Sequence, residues 1–290
     1  MQKSQNLLAI IPKICLAVLM AFVFVASPAL AETDSNQQKM QYDVYAGGIH
    51  ALQANLDIDR SEKGRYAIEL QAKTYGLLGK LAPWEGTFFS KGWAKEGANK
   101  PQLHSSTAIW RKEAELKKYH YKKDGSFKEY TLKDDSNDGS PKKVDDELTQ
   151  GTSDVLTATL NTMEAVAKGQ ECSGKTDIFD GKRRYSLVFK QKKEVVLESS
   201  RWNVYAGPAI ECTVEVVPGA GKWYEKPRGW MSIQEQGRER GKIPTVWLAQ
   251  ITEGQPAVPV KVRVKTSYGT LFMHMTSYET ENNTLTLPKK

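Results

Sequence analysis

Cysteine and histidine are scarce in this sequence, which has three cysteines and four histidines in 290 residues. The histidines His50, His104, His120 and His274 are scattered, and none lies at the HxxxH or HExxH spacing of a metal site. No cysteine has a CxxC partner, which argues against a zinc site. We therefore predict neither a cofactor nor a bound metal.

Catalytic motifs are also missing. The sequence has no GxSxG nucleophile elbow. Ser140 and Lys143 match an SxxK spacing, but they lie in a stretch rich in Gly and Asp, where the lysine would stay solvated. The stretch from Asp134 to Asp145 resembles a calcium loop, yet Pro141 stands where an apolar residue belongs and the twelfth residue is not Glu. We predict that the protein is not an enzyme, with an envelope hydrolase as a minor alternative.

Long apolar runs are absent apart from the twelve residues Ile14–Val25. This run is too short to span a bilayer comfortably. Lys3 and Lys13 precede it and the small-residue site Ala29–Ala31 follows, which predicts a cleaved secretory signal over residues 1–31, with an uncleaved anchor as the alternative. We expect a periplasmic protein that does not span the membrane after signal cleavage.

A strong charge of one sign is lacking as well. Removing Lys3 and Lys13 from the 41 basic residues leaves 39 against 34 acidic ones, a balance of +5. Nucleic acid is not an expected partner of such an exported chain without a binding motif. The lysines are spread in pairs, which is typical of a solvated face or a guarded strand edge; a patch for anionic lipid or glycan is the alternative.

Two cysteines remain once Cys15 leaves with the signal. An even count in an oxidising compartment predicts one disulfide, Cys172–Cys212. Two free thiols or a redox pair are the alternatives.

Alternating apolar and polar residues dominate the rest of the chain, clearly so at Tyr66–Tyr75. About a dozen strands follow from this pattern, including one at Trp230–Gln234, whereas Asp134–Glu147 is expected to be a flexible acidic loop. So many antiparallel strands should curl or close. We predict an all-β fold with one helix, whose curved antiparallel sheet forms a spiral-like or partly open β-barrel. Residues 41–280 would form a single domain, between a disordered segment at 32–40 and a tail at 281–290.

The one predicted helix lies inside Thr152–Leu187, the stretch around which the chain is organised. Thr152 or Ser153 would cap it, Asp154 suits the positive end of its dipole, and Gly169 would end it. Its apolar stripe consists of Val155, Leu156, Leu160, Met163 and Val166, and the opposite side carries Thr157, Asn161, Glu164 and Lys168. We expect the stripe to pack on, or plug, the sheet.

The segment Gly76–Trp84 interrupts the strand pattern with two glycines and Pro83. We interpret it as a bent connection or lid rather than a helix. Most of the many aromatic residues should be core, but a barrel with an apolar interior could hold an apolar ligand in its mouth. The candidate ligand-binding residues are Trp84, Phe88, Trp110 and Trp247, with Leu77, Leu78 and Leu81 as a mobile cover.

A series of short sequence segments, taken in their order along the chain, resembles the domain of unknown function 3108 family of exported bacterial envelope proteins. The segments lie at Tyr42–Ile49, Thr74–Gly79, Asp154–Ala158, Cys172, Phe179–Tyr185, Tyr205–Cys212, Pro244–Ala249, Pro259–Lys261 and Thr266–Gly269. The resemblance implies a curved, spiral-like β-barrel, similar in shape to lipoprotein-carrier and outer-membrane lipoprotein-receptor proteins. It supplies no catalytic residues.

Two hypotheses about function follow. In the first, a non-enzymatic envelope protein binds an amphipathic or apolar ligand, either lipid or lipid-linked glycan, and supports envelope integrity. In the second, a protein-interaction scaffold with a side-chain-filled barrel meets other envelope proteins along its strand edges. The state of the barrel interior separates the two.

Overall fold

The computed structural model describes residues 36–223, 234–235, 238, 243–266 and 269–288. The predicted signal, residues 32–35, most of the strand predicted at Trp230–Gln234 and the last two residues of the tail lie outside this part of the chain.

Antiparallel strands make up most of the described structure. They are β1 Gln37–Ala46, β2 Ile49–Asp59, β3 Arg65–Thr74, β4 Trp84–Trp93, β5 Lys100–Trp110, β6 Glu113–Tyr121, β7 Phe127–Asp134, β8 Asn137–Lys142, β9 Gly174–Phe179, β10 Arg183–Leu197, β11 Gly207–Gly221, β12 Thr245–Ala249, β13 Val258–Thr266, β14 Gly269–Glu279 and β15 Thr284–Thr286. The helices are α1 Gly76–Leu81, α2 Asp146–Thr149 and α3 Val155–Ala167.

All fifteen strands belong to one sheet. Its order runs β8 to β1 backwards through the sequence, then β14 to β9, with β15 paired to β14. Strands β1 and β14 therefore join the two halves of the chain at the centre of the sheet. The sheet is curved and its outermost strands, β8 and β9, do not pair with each other. The predicted curved, partly open antiparallel sheet is confirmed.

Aromatic side chains bring the two ends of this open sheet together. Tyr119 of β6 and Tyr130 of β7 meet Phe179 of β9 edge to face, with ring centroids 5.9 and 5.7 Å apart. Gly181 approaches the same cluster so closely that a Cβ there would lie 2.6 Å from the Tyr130 hydroxyl oxygen. Side-chain packing rather than hydrogen bonding thus links the two ends.

Helix α3 lies against one face of the curved sheet and contacts β3, β4, β9, β10 and β12. Leu156, Leu160 and Met163 of the predicted stripe are buried. Gly169 ends the helix in the left-handed region with φ of 74°. The expectation that this helix packs on the sheet is confirmed by these contacts.

Two details of the helix prediction were wrong. The N-cap is Asp154, whose carboxylate accepts hydrogen bonds from the backbone N–H groups of Leu156 and Thr157, rather than Thr152 or Ser153. Thr157, expected on the polar side, is fully buried, because its hydroxyl has partners on both the helix and the sheet. A buried hydroxyl is tolerated when it is hydrogen-bonded in this way.

Residues 37–40 of the segment predicted to be disordered begin β1, and Thr284–Thr286 of the predicted tail form β15. Two segments predicted as connections also have regular structure. Gly76–Leu81 forms α1. The expected flexible loop Asp134–Glu147 contains β8, which extends the sheet by pairing with β7, and the start of α2. Three helices with described bounds are therefore present, where one was predicted. Gln234, the one described residue of the strand predicted at Trp230–Gln234, is helical. Pairing with a neighbouring strand or docking at a strand end supplies the stability that local sequence does not encode.

The predicted disulfide is present. Cys172 precedes β9 and Cys212 lies on β11, with Cα atoms 6.3 Å apart. Both cysteines are fully buried. The bridge closes a loop of 40 residues between two strands that do not pair with each other.

We expect Leu160→Ala to lower the free energy of unfolding by roughly 2–5 kcal/mol, because Leu160 is fully buried between α3 and the sheet. Chemical denaturation measures this change. Lys168→Ala, at the exposed end of the same helix, should change it by less than about 0.5 kcal/mol. A cost below about 1 kcal/mol for Leu160→Ala would mean that the helix contributes little to the fold.

Replacing both Cys172 and Cys212 by alanine should lower the free energy of unfolding by up to roughly 4 kcal/mol, because the unfolded chain regains the entropy of the 40-residue loop. Denaturation of this variant beside the oxidised and reduced wild-type protein measures the change. Equal stability of all three would contradict a stabilising role for the bridge.

Candidate functional site

The sheet face that meets α3 is buried along one half and partly exposed along the other. On β3 the residues of this face alternate from Tyr66 to Thr74, following the two-residue period of a strand. Tyr66 and Ile68 are buried, whereas Leu70, Ala72 and Thr74 are only half-buried. Burial therefore falls towards the end of β3 that leads into α1.

Strand β5 shows the same gradient. His104 is buried, Ser106 and Ala108 are half-buried, and Trp110 is 48% exposed. The cause is the position of α3. Its N-terminus lies beside the buried part of the sheet, and Asn161, further along the helix, hydrogen-bonds the Asn99 backbone in the connection at the far end of β4 and β5. The helix therefore covers only one half of the face.

We call the part of this face that α3 leaves uncovered the cup. Small residues cross its floor, because Ala72, Gly86 and Ala108 lie opposite one another on β3, β4 and β5. The rings of Trp84 and Phe88 lie on either side of Gly86, so that a Cβ there would be 2.7 and 3.0 Å from them. The cup consists of Leu70, Ala72, Trp84, Gly86, Phe88, Ser106, Ala108 and Trp110.

One wall of the cup is charged. On β6, Glu115 lies opposite Ala108 and Lys117 lies opposite Ser106, so both belong to the same face of the sheet. The Lys117 ammonium is 2.5 Å from the Glu115 carboxylate. An apolar floor beside a charged wall is suited to a molecule with both kinds of surface.

Exposed apolar side chains gather where the cup opens. The short helix α1 has no buried residue, and its Leu77 and Leu81 are 65% and 68% exposed. Backbone hydrogen bonds hold the residues on both sides of α1 in place. The Tyr75 N–H donates to the Ala51 carbonyl at 2.8 Å, and the Arg111 N–H donates to the Pro83 carbonyl at 3.0 Å. We call these exposed residues the apolar rim: Ile49, Tyr75, Leu77, Leu78, Leu81, Ile109 and Trp110.

The structure brings six of the seven sequence-predicted ligand residues to this end of the sheet. Trp84 and Trp110 lie opposite each other on β4 and β5, Phe88 lies further along β4, and the three leucines lie on α1. Trp247 does not join them. It is buried on β12, where Lys261 and Arg263 lie over its ring, each at 5.2 Å from the centroid.

A polar network at the buried half of the face was not predicted from the sequence. Ser90 Oγ is 2.8 Å from His104 Nδ1 and donates to Asp154 Oδ1 at 2.7 Å. Thr157 Oγ1 donates to Asp154 Oδ2 at 2.6 Å and is 2.6 Å from the Tyr66 hydroxyl. These five residues come from β3, β4, β5 and the start of α3. The five residues are far apart in the sequence, so no local pattern predicted that they would meet. Asp154 before an apolar stripe does predict a helix cap.

The family assignment agrees with the resemblance seen in the sequence segments. The family model described as a protein of unknown function, DUF3108, matches residues 41–276. The chain belongs to this family. Among solved structures, it is similar to a β-barrel-like protein of domain of unknown function DUF1849 from Brucella abortus, at 9% identity and a TM-score of 0.46, over 84% of this chain and 97% of that one. No curated protein matches it.

The network of this DUF3108 protein lacks the arrangement of a catalytic triad. Ser90 and Asp154 both meet His104 at Nδ1, at 2.8 and 3.5 Å, whereas a triad uses opposite ring nitrogens for the two partners. All three residues are also buried. In the described part of the chain, no group of three or more Asp, Glu, His or Cys residues is placed to hold a metal ion. Nor is any helix described there long and apolar enough to cross a membrane.

Burial lowers the pKa of His104 from its usual 6.5, although the Asp154 carboxylate and a hydrogen bond to the Phe89 backbone act in the opposite direction. The unfolded chain therefore binds a proton before the folded one does. Stability contributed by the neutral imidazole is complete above pH 6.5 and is lost as the pH falls below that value.

We expect the free energy of unfolding of the DUF3108 protein to fall as the pH drops below 6.5, with His104 contributing a slope of up to about 1.4 kcal/mol per pH unit. Denaturation at several pH values should give a smaller slope for His104→Gln. His274, whose pKa burial also lowers, is the matched comparison, and His274→Gln should remove a separate part of the slope. An unchanged slope in His104→Gln would contradict the assignment.

Proposed function

We propose that this protein is an exported, non-enzymatic component of the cell envelope that binds the apolar part of an amphipathic molecule in the cup. The observation that carries the proposal is the half-open α3 face, where Ala72 and Ala108 stay half-buried beside Trp84 and Trp110. Apolar surface that a protein leaves partly exposed is available to a ligand.

The charged wall supports an amphipathic ligand over a purely apolar one. Lys117 and Glu115 face the same side as Ser106 and Ala108 and could meet a polar head group while an acyl chain lies on the floor. A lipid and a lipid-linked glycan share this chemistry. Binding such molecules would serve the integrity of the envelope rather than a chemical conversion.

A non-enzymatic role is supported by the state of the polar residues. The serine, histidine and aspartate that come together are closed off from solvent, with Ser90 fully buried and Asp154 1% exposed. Their hydrogen bonds are used to hold α3 to the sheet. A substrate in the cup would meet Trp, Phe, Ala and the Lys117–Glu115 pair instead.

An exported location is supported by the N-terminal sequence and by the disulfide. Residues 1–31 have the charge, apolar run and small-residue site of a secretory signal. The bridge between Cys172 and Cys212 is typical of an oxidising compartment such as the periplasm.

A larger side chain in the cup should weaken binding without unfolding the protein. We expect Ala108→Trp to weaken uptake of a fluorescent fatty acid by at least about tenfold, since the new ring occupies the floor. Thr107→Trp is the matched control, because it adds the same ring to the other face of the same strand and should leave uptake within about twofold. Fluorescence titration measures binding, and thermal unfolding verifies that both variants fold.

A cavity elsewhere on the protein gives the experiment a further comparison. A cavity of about 440 Å³ lies beside the C-terminal end of α3, lined by Val195, Tyr205 and Leu248 among others. If Val195→Trp abolishes uptake and Ala108→Trp does not, the ligand binds there and the cup assignment is wrong. A stable wild-type protein that takes up no fatty acid, and carries no lipid in native mass spectrometry after purification from the periplasm, would favour the scaffold hypothesis instead.

A further inference from the structure

The apolar rim is the main concentration of exposed apolar surface on the described protein. It holds seven of the nine large hydrophobic side chains there that are strongly exposed; the other two are Val196 and Val217. Such concentrations on a folded protein mark a surface that meets a partner or a membrane. The rim therefore requires an explanation beyond the packing of the fold.

The leucines of α1 are not explained by the interior of the protein. The helix is six residues long and buries none of them. It is nevertheless held firmly at both ends, since the Thr74 hydroxyl accepts from the Trp84 N–H at 2.9 Å and donates to the Ala82 carbonyl at 3.2 Å. The short, anchored helix α1 therefore presents the apolar side chains of Leu77 and Leu81 to solvent, and we call this pair the apolar tip.

Positive charge accompanies this apolar tip. The three connections that form the rim, residues 46–50, 75–84 and 109–113, contain the cations Lys80, Arg111 and Lys112 against one acid, Glu113. All four of these charged side chains are exposed. Leucine and aromatic side chains combined with lysine and arginine are the composition of a surface that enters the interface of an anionic bilayer.

We propose that the apolar rim docks on the surface of an anionic lipid bilayer. Leu77, Leu81 and Trp110 enter the boundary between head groups and acyl chains, while Lys80, Arg111 and Lys112 pair with lipid phosphates. Because the rim lies at the same ends of β3, β4 and β5 as the cup, docking places the cup beside the membrane surface. This inference goes beyond ligand binding and stands without it, since the rim is exposed whether or not the cup is occupied.

The arrangement of the rim favours a bilayer over a protein partner. Its residues belong to three separate connections at the ends of strands, held together by the Tyr75–Ala51 and Arg111–Pro83 hydrogen bonds. Residues of several connections at one end of the protein can contact an extended surface, such as a bilayer, simultaneously. No sheet edge is offered here for strand addition, because β2 to β5 all have neighbours on both sides.

Sedimentation with vesicles tests the proposal, using the protein purified after export. We expect binding to vesicles of phosphatidylcholine with added phosphatidylglycerol, and weaker binding to phosphatidylcholine alone. The double variant Leu77→Ser with Leu81→Ser should weaken binding to the mixed vesicles by about tenfold or more, since two leucine side chains no longer leave water. Its thermal stability should stay that of the wild type, because neither residue is buried.

Two further variants separate the contributions of charged and apolar side chains to vesicle binding. Replacing Lys80, Arg111 and Lys112 by glutamine should remove the preference for anionic vesicles, and added salt should have the same effect on the wild type. Val196→Ser with Val217→Ser is the matched control, because it removes the two exposed apolar side chains outside the rim and should leave binding unchanged.

The proposal is overturned if the wild type fails to bind the mixed vesicles, or if the leucine and valine variants lose binding equally. The result is independent of the cup. Ala108→Trp should bind vesicles as the wild type does while losing fatty-acid uptake. A wild-type protein that takes up fatty acid but does not bind vesicles would therefore refute membrane docking without contradicting the proposed ligand binding.

Discussion

The fold depends on one buried carboxylate, that of Asp154. Its two oxygens accept four hydrogen bonds, two from backbone N–H groups at the start of α3, one from the Thr157 hydroxyl and one from Ser90 on β4. A buried carboxylate is very costly when its hydrogen bonds are incomplete. The helix therefore has little freedom to slide or rotate against the sheet without leaving this group unsatisfied.

The position of α3 in turn decides what the sheet can enclose. Leu160 and Met163 fill one half of the α3 face, and the disulfide joins the strands beyond the end of the helix. At the other half, Ala72 and Ala108 are only half-buried, and α3 is not among the described elements beside them. A partly exposed floor, a charged wall and an exposed rim at the same end are consequences of where one helix is anchored.

Much of the architecture was readable from the sequence, because it rests on local patterns. Two-residue alternation marked most strands, as at Tyr66–Tyr75, and a stripe at spacings of three and four marked α3. The failures share a cause. The strand β8 and the helix α1 have compositions typical of loops, and their structure comes from pairing with β7 and from hydrogen bonds to neighbouring turns. Sequence patterns do not report such neighbours.

By itself the sequence determined the antiparallel class, the main helix, the cysteine pair and the collection of leucines and tryptophans that belong to the candidate site, since each depends on residue type or short-range spacing. Only the tertiary structure decided that Ser90, His104 and Asp154 meet, that Trp247 lies apart from Trp84 and Trp110, and that half of the α3 face stays open. Those outcomes depend on strand order and register across the whole sheet, where β1 meets β14, and a linear sequence does not display distances between residues so far apart.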